Sequence, residues 1–151
     1  MSLKTWKEEF YTLPACNVPE DKAIAYSLKK WIGLRQENLA KHEIYFDGYR
    51  LKEANAWFNF TPFYIDGDSC ALCEHYYDSY SDIYDADDEQ VNCHSCPLYL
   101  ARGGVPCDSE RDDEQRSPYF AMVGESNKNN PRNPEPMIYW LIQAQLQEEE
   151  S

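Results

Sequence analysis

The chain has 151 residues, 42 % of them hydrophobic and 15 % aromatic, with a formal net charge of −13. That length suits one domain with a modest core, and the aromatic content excludes a disordered chain, which has too few such residues to bury. The charge opposes nucleic-acid binding, which needs clustered Lys and Arg, and no apolar run reaches the about 20 residues of a bilayer span.

Residues 1–10 alternate Lys, Glu and aromatic residues without the continuous apolar core of a signal peptide, so a cytoplasmic location is expected. The first clear helix opens near Pro19, with Glu20 and Asp21 in the first turn, where the helix dipole favours anions. Ile24, Leu28, Trp31 and Ile32 recur at helical spacing as one apolar stripe, Lys29 and Lys30 fill the last turn, and Gly33 is the expected C-terminal cap. A short second helix is expected over residues 36–42.

From residue 44 the pattern changes to strands. Ile44-Tyr45-Phe46 and Tyr49-Arg50-Leu51 flank Asp47-Gly48, which accepts the positive φ of a type I′ hairpin turn. Residues 57–60 and 63–65 read as further short strands, and residues 66–68 turn the chain into a cysteine-rich segment. Beyond it, Ser117 and Pro118 open a short helical turn over residues 119–123, and residues 124–136 read as an Asn/Pro-rich loop. Asn133 caps a terminal helix opened by Pro134, with Met137, Ile138, Leu141, Ile142 and Leu146 as its buried side. Glu148, Glu149 and Glu150 put like charges at its negative end, where fraying is expected.

No repeat or linker divides the chain. The expected fold is α+β in a single domain, residues 1–151: helices at both ends, a small antiparallel sheet over residues 44–65, and an irregular four-cysteine zinc-binding segment over residues 66–119.

Six cysteines in a reducing compartment favour metal over disulfides when they come as Cys-x-x-Cys pairs. Cys70 and Cys73, then Cys93 and Cys96, are two such pairs at the spacing of a four-cysteine zinc site. Thiolates three residues apart on a tight turn point at one ion, and a second turn completes the tetrahedron. Structural Zn²⁺ is the expected cofactor, with an iron–sulfur cluster the chemical alternative. Residues 97–102 form a short helix with Pro97 at N1, whose positive end would lower the pKa of Cys96. Gly103-Gly104 then lets the chain double back, making Cys107 the rival ligand to Cys93. A site of three cysteines and one histidine is the other alternative, yet His75 and His94 are expected to stay outside the ligand shell, since the thiolates suffice, and Cys16 stands apart as a free thiol.

The order Cys70-Ala-Leu-Cys73, Cys93-His-Ser-Cys96-Pro97, Gly103-Gly104, Cys107 and Ser117-Pro118-Tyr119 resembles small proteins of tailed bacteriophages and prophages. The resemblance covers about residues 70–119 and implies zinc binding and a phage setting, but no reaction. A long acidic insertion between the cysteine pairs departs from that pattern.

Residues 70–116 carry twelve acids and three arginines, a local charge of −9. Within them Tyr80, Asp82, Tyr84, Asp85, Asp87 and Asp88 are the candidate partner-binding residues, since Tyr offers rigid contact area and carboxylates complement a basic surface. The competing reading is a solvated loop. The expected function is therefore a zinc-stabilised, acidic, phage-type accessory protein that binds a host or phage protein with a basic surface. A DNA-mimicking inhibitor of a host nucleic-acid enzyme is the sharper alternative. A small metal-dependent enzyme and a zinc-finger nucleic-acid binder are further ones. The enzyme reading lacks parts: no His-Glu-x-x-His, Gly-x-Ser-x-Gly or phosphate loop is present, and His42-Glu43 reads as a surface pair. The finger reading has only Lys29, Lys30, Arg35 and Lys41 as a modest basic cluster, more simply explained as dipole compensation and solvation.

Overall fold

The structure, a computed structural model, describes residues 2–54, 62–66, 69–111, 116–124, 128–129 and 131–150. It opens on a helix that the expected elements do not include. Helix α1 spans Leu3–Phe10, and Ser2 and Thr5 cap its start reciprocally: the Ser2 hydroxyl accepts from Thr5 N, while Thr5 Oγ1 accepts from Ser2 N. Leu3, Trp6 and Phe10, at helical spacing, are its buried face.

Two 3₁₀ turns, Ala15–Asn17 and Glu20–Lys22, lead into α2, Ala23–Ile32. The acids at 20 and 21 thus precede the helix in a separate turn. The buried face of α2 is Ala23, Ile24, Ser27, Lys30 and Trp31, while Leu28 and Ile32 are only half-buried. The expected stripe is therefore rotated toward Ser27 and Lys30, because α2 packs against both the terminal helix and the cysteine segment.

Gly33 ends α2 with φ −62° and ψ −17°, so it is not the left-handed cap its identity suggested. Its role is close approach: a Cβ there would fall 2.5 Å from Phe10 Cγ, and Trp6 Nε1 donates to the Gly33 carbonyl at 2.9 Å. Gly33→Ala should destabilise the fold by about 1–3 kcal/mol, since buried Phe10 has no free space to yield. Urea denaturation checks this, and an unchanged midpoint would mean that α1 shifts without cost.

Helix α3, Gln36–Lys41, leads into strands β1, Ile44–Asp47, and β2, Arg50–Glu53, with β3, Phe63–Tyr64, completing an antiparallel sheet ordered β1-β2-β3. Asp47 pairs with Arg50, so the two-residue turn is Gly48-Tyr49, one position later than Asp-Gly suggested. Gly48 has φ +65° and Tyr49 is not in the left-handed region, which removes the type I′ assignment. The strand expected over 57–60 lies outside the described residues.

Helix α4, Ala71–Tyr76, and α5, Pro97–Ala101, flank the acidic insertion, and α6, Glu135–Glu150, closes the chain. Asn133 Oδ1 accepts from Glu135 N at 3.0 Å, as its capping position requires. Helix α6 packs on α2 and α5 through Met137, Ile138, Leu141 and Ala144, whereas Ile142 and Leu146 are exposed. The apolar residues of α6 span more than one face, so periodicity alone placed those two wrongly. Helices at both ends and a small antiparallel sheet make the fold α+β. Among the described residues, no helix is long and apolar enough to cross a membrane.

Candidate metal centre

Cys70 is the N-cap residue of α4, and Cys73 lies within its first turn; Glu74 N donates to Cys70 O at 3.1 Å, closing that turn. The neighbouring Cys73 thiol, the positive charge of Lys30 and the backbone N–H groups of Cys73 and Leu72 hold the Cys70 thiol below the usual range. Proximity to Cys70 and burial push Cys73 up.

Cys96 takes the equivalent place at α5, capping it ahead of Pro97, and Cys96 N donates to Cys93 O at 2.9 Å. Cys96 is buried in the core, and there the expected effect of the helix start reverses. Burial raises its thiol to about 11, outweighing the Tyr99 and Leu98 N–H groups. Gly103 and Gly104 take φ +74° and +89°, turning the chain back as their identity predicts. The buried Arg102 guanidinium donates to the Val105 and Pro106 carbonyls, and Tyr119 N donates to Cys107 O at 3.0 Å, which pins the returning segment. Burial pushes the Cys107 thiol well up, and the charges of Cys70, Asp108, Cys96 and Cys93 add to it.

All six cysteines are free thiols, and Cys16 is exposed. Cys70, Cys73, Cys93, Cys96 and Cys107 each lie near enough to at least one other of the five for charge on one to act on the other. Among the described residues, no group of three or more His, Cys, Asp or Glu side chains is placed to hold a metal ion.

Lys30 is the residue that sequence reasoning misplaced. It belongs to no basic surface cluster: it is 2 % exposed, with Nζ donating to Ser69 O at 2.8 Å. Burial lowers its pKa, while Cys70, Cys73, Asp66 and Cys107 act in the opposite direction.

The histidines have other occupations. His75 bonds the Val18 carbonyl, and His94 stands 4.0 Å from Asp78. His42 is buried rather than on the surface, its ring between Thr5 Oγ1 at 2.9 Å and Glu9 Oε1 at 3.2 Å. Thr5 Oγ1 also donates to Ser2 O, so this trio ties α1 to the end of α3 and presents no activated hydroxyl. The surface hollows beside α1 and beside α3, of about 570 and 530 Å³, contain no cysteine.

The acidic insertion folds as a hairpin-like finger. Tyr84 and Gln90 form a bridge, Val91 N donates to Ile83 O at 2.8 Å, and Asp78 N donates to Asn92 O at 2.7 Å. Asp85 Oδ1 accepts from Asp87 N and Glu89 N, both at 2.9 Å, and Asp88 turns the tip at φ +62°. Tyr80 is 93 % exposed and Tyr84 is also exposed, as are Asp82, Asp85, Asp87 and Asp88. Of the candidate contact residues, Asp85 thus spends one oxygen holding the tip together.

Compared with known proteins, the chain matches no family model, no curated protein and no solved structure.

Proposed function

We propose that the protein is a zinc-stabilised interaction protein, in which thiolates fix a structural ion and the acidic finger engages a protein with a basic surface. A shell of thiolates alone leaves no open position for water, which makes the ion structural rather than catalytic. The observation that carries the reading is the finger itself. It is closed by backbone hydrogen bonds at both ends, yet it turns Tyr80, Tyr84 and its carboxylates outward. Ordering the finger in advance lowers the conformational entropy lost on binding, which a slack acidic spacer would not do. The motif order resembles that of small phage proteins, and on that resemblance alone the partner would be a host or phage protein.

The test is affinity capture of a partner from cells, followed by titration of purified components across salt. Replacing Asp82, Asp87 and Asp88 together by Asn should weaken binding roughly tenfold at low salt and flatten the salt dependence, at a few tenths to 1 kcal/mol per exposed pair. Asn tolerates the positive φ at 88, and Asp85 is left intact to keep the tip. Tyr80→Ala should weaken binding at every salt concentration. Unchanged affinity in both variants would remove the finger from the interface.

A further inference from the structure

Helix α6 buries Met137, Ile138, Leu141 and Ala144 against α2 and α5, so its opposite side faces out. That outer side is apolar too. Tyr139, Ile142 and Leu146 are all exposed, and steps of three and four residues set them in one stripe along the helix. The Tyr139 ring leans on Trp140, with 5.0 Å between centroids, and Arg102 and Arg111 stand over the Trp140 ring beside the stripe.

A surface helix ordinarily turns charge to water. Residues 136–147 contain no charged side chain, in a chain of which 27 % is charged, and Gln143 and Gln145 flank the stripe. An apolar centre with an uncharged polar border is the composition of an interface core and its rim. The charge of α6 lies at its ends. Glu135 opens the outer side, held by Arg35 at 2.7 and 3.1 Å. Glu148, Glu149 and Glu150 close it at the negative end of the helix dipole, with no base in the last turn. Fraying is expected of such an end, yet the helix runs to Glu150.

This distribution selects the occupant. A basic partner finds no carboxylate along the stripe to pair with. A second copy laid parallel would set the two glutamate clusters side by side. Laid antiparallel, the copies keep those clusters about 24 Å apart, beyond the about 10 Å Debye length. Each cluster then lies beside the positive helix end of the other copy and the Arg35 there. The stripe is also self-complementary about a two-fold axis: Ile142 lies near the axis, and Tyr139 of each copy meets Leu146 of the other.

We propose that α6 is the contact between two copies of this chain, paired antiparallel through Tyr139, Ile142 and Leu146. One helix about 24 Å long offers less than the about 1,200 Å² at which stable complexes begin, so the dimer is weak and reversible. Each copy carries −13, so salt strengthens the pairing by screening, whereas salt weakens the hold of the finger on a basic surface. The pairing rests on neither the zinc nor the finger reading.

Sedimentation velocity of the full chain, from micromolar to millimolar and at low and high salt, tests it. The native chain should pass from monomer to dimer across that range, more readily at high salt. Ile142→Lys and Leu146→Glu should each weaken the dimer at least about tenfold, as loss of a central apolar anchor does. Their urea midpoints should stay unchanged, since both side chains are exposed. Orientation is read by oxidative crosslinking in a Cys16→Ser background, which removes the exposed native thiol, with the linked peptides identified by mass spectrometry. Ile142→Cys should link copy to copy. Tyr139→Cys should not, because antiparallel pairing holds its two Cα atoms about 10 Å apart, beyond disulfide reach. A Tyr139→Cys chain that links to itself overturns the antiparallel pairing, and a dimer unchanged by both stripe variants overturns the contact at α6. A native chain that stays monomeric throughout overturns the dimer; if Ile142→Lys then weakens capture of another protein, the stripe belongs to that partner instead.

Discussion

Stripping zinc with a strong chelator is expected to unfold residues 70–107 and to abolish a cooperative melting transition near the native Tm. The proposed ion has an apparent binding free energy of about 10–16 kcal/mol if it behaves like zinc-finger sites, as large as the about 5–15 kcal/mol that holds a typical domain together. The segment has little to replace it. Helices α4 and α5 have six and five residues, too short to persist without outside support. Their loss would reach further, since Ala71, Leu72, Cys96 and Leu98 belong to the same core as α2 and α6. Elemental analysis should find about one zinc per chain, and Cys→Ser at Cys70, Cys73 or Cys96 should remove most of it. Cys16→Ser should change nothing, because that thiol is exposed. A chain that melts identically with and without chelator, and carries no metal when purified, would refute the assignment.

Helix α5 was legible because its signals are local and chemical: Pro97 pre-sets the first turn, and Gly103 and Gly104 accept positive φ at the end. The hairpin was legible in place but not in register, since Asp47 and Gly48 both favour turns and only strand pairing decides which residue enters the ladder. The two cysteine pairs stood out by spacing, yet spacing says nothing of where Cys107 returns. That depends on Arg102 and Tyr119 holding the returning segment. Lys30 was misread for the same reason. A lysine in a last helical turn reads as solvated, and only the packing of α2 between α6 and the cysteine segment makes its position an interior one.

Trp6→Ala is expected to be the most damaging single change in the N-terminal half. The side chain is 0 % exposed, with its ring 5.9 Å from Phe10 and 5.7 Å from Phe63, so it joins α1 to β3. Its Nε1–H satisfies the Gly33 carbonyl at 2.9 Å, which joins α1 to the end of α2 as well. Truncation would open a cavity at about 3–5 kcal/mol, and the orphaned carbonyl adds about 1–3 kcal/mol where water cannot reach it. Together these approach the whole stability of a small domain. Trp6→Phe separates the two contributions: it keeps most of the ring but no donor, so a loss of about 1–3 kcal/mol is expected. The helix itself explains the concentration of energy in one residue. Its eight residues are held by the Ser2–Thr5 cap at one end and by three buried side chains along one face, of which Trp6 is the middle one. Urea denaturation of the two variants reads the outcome directly. If Trp6→Ala stays within about 1 kcal/mol of the native chain, α1 is not anchored through this ring, and the core of the N-terminal half must rest on α2 and the sheet alone.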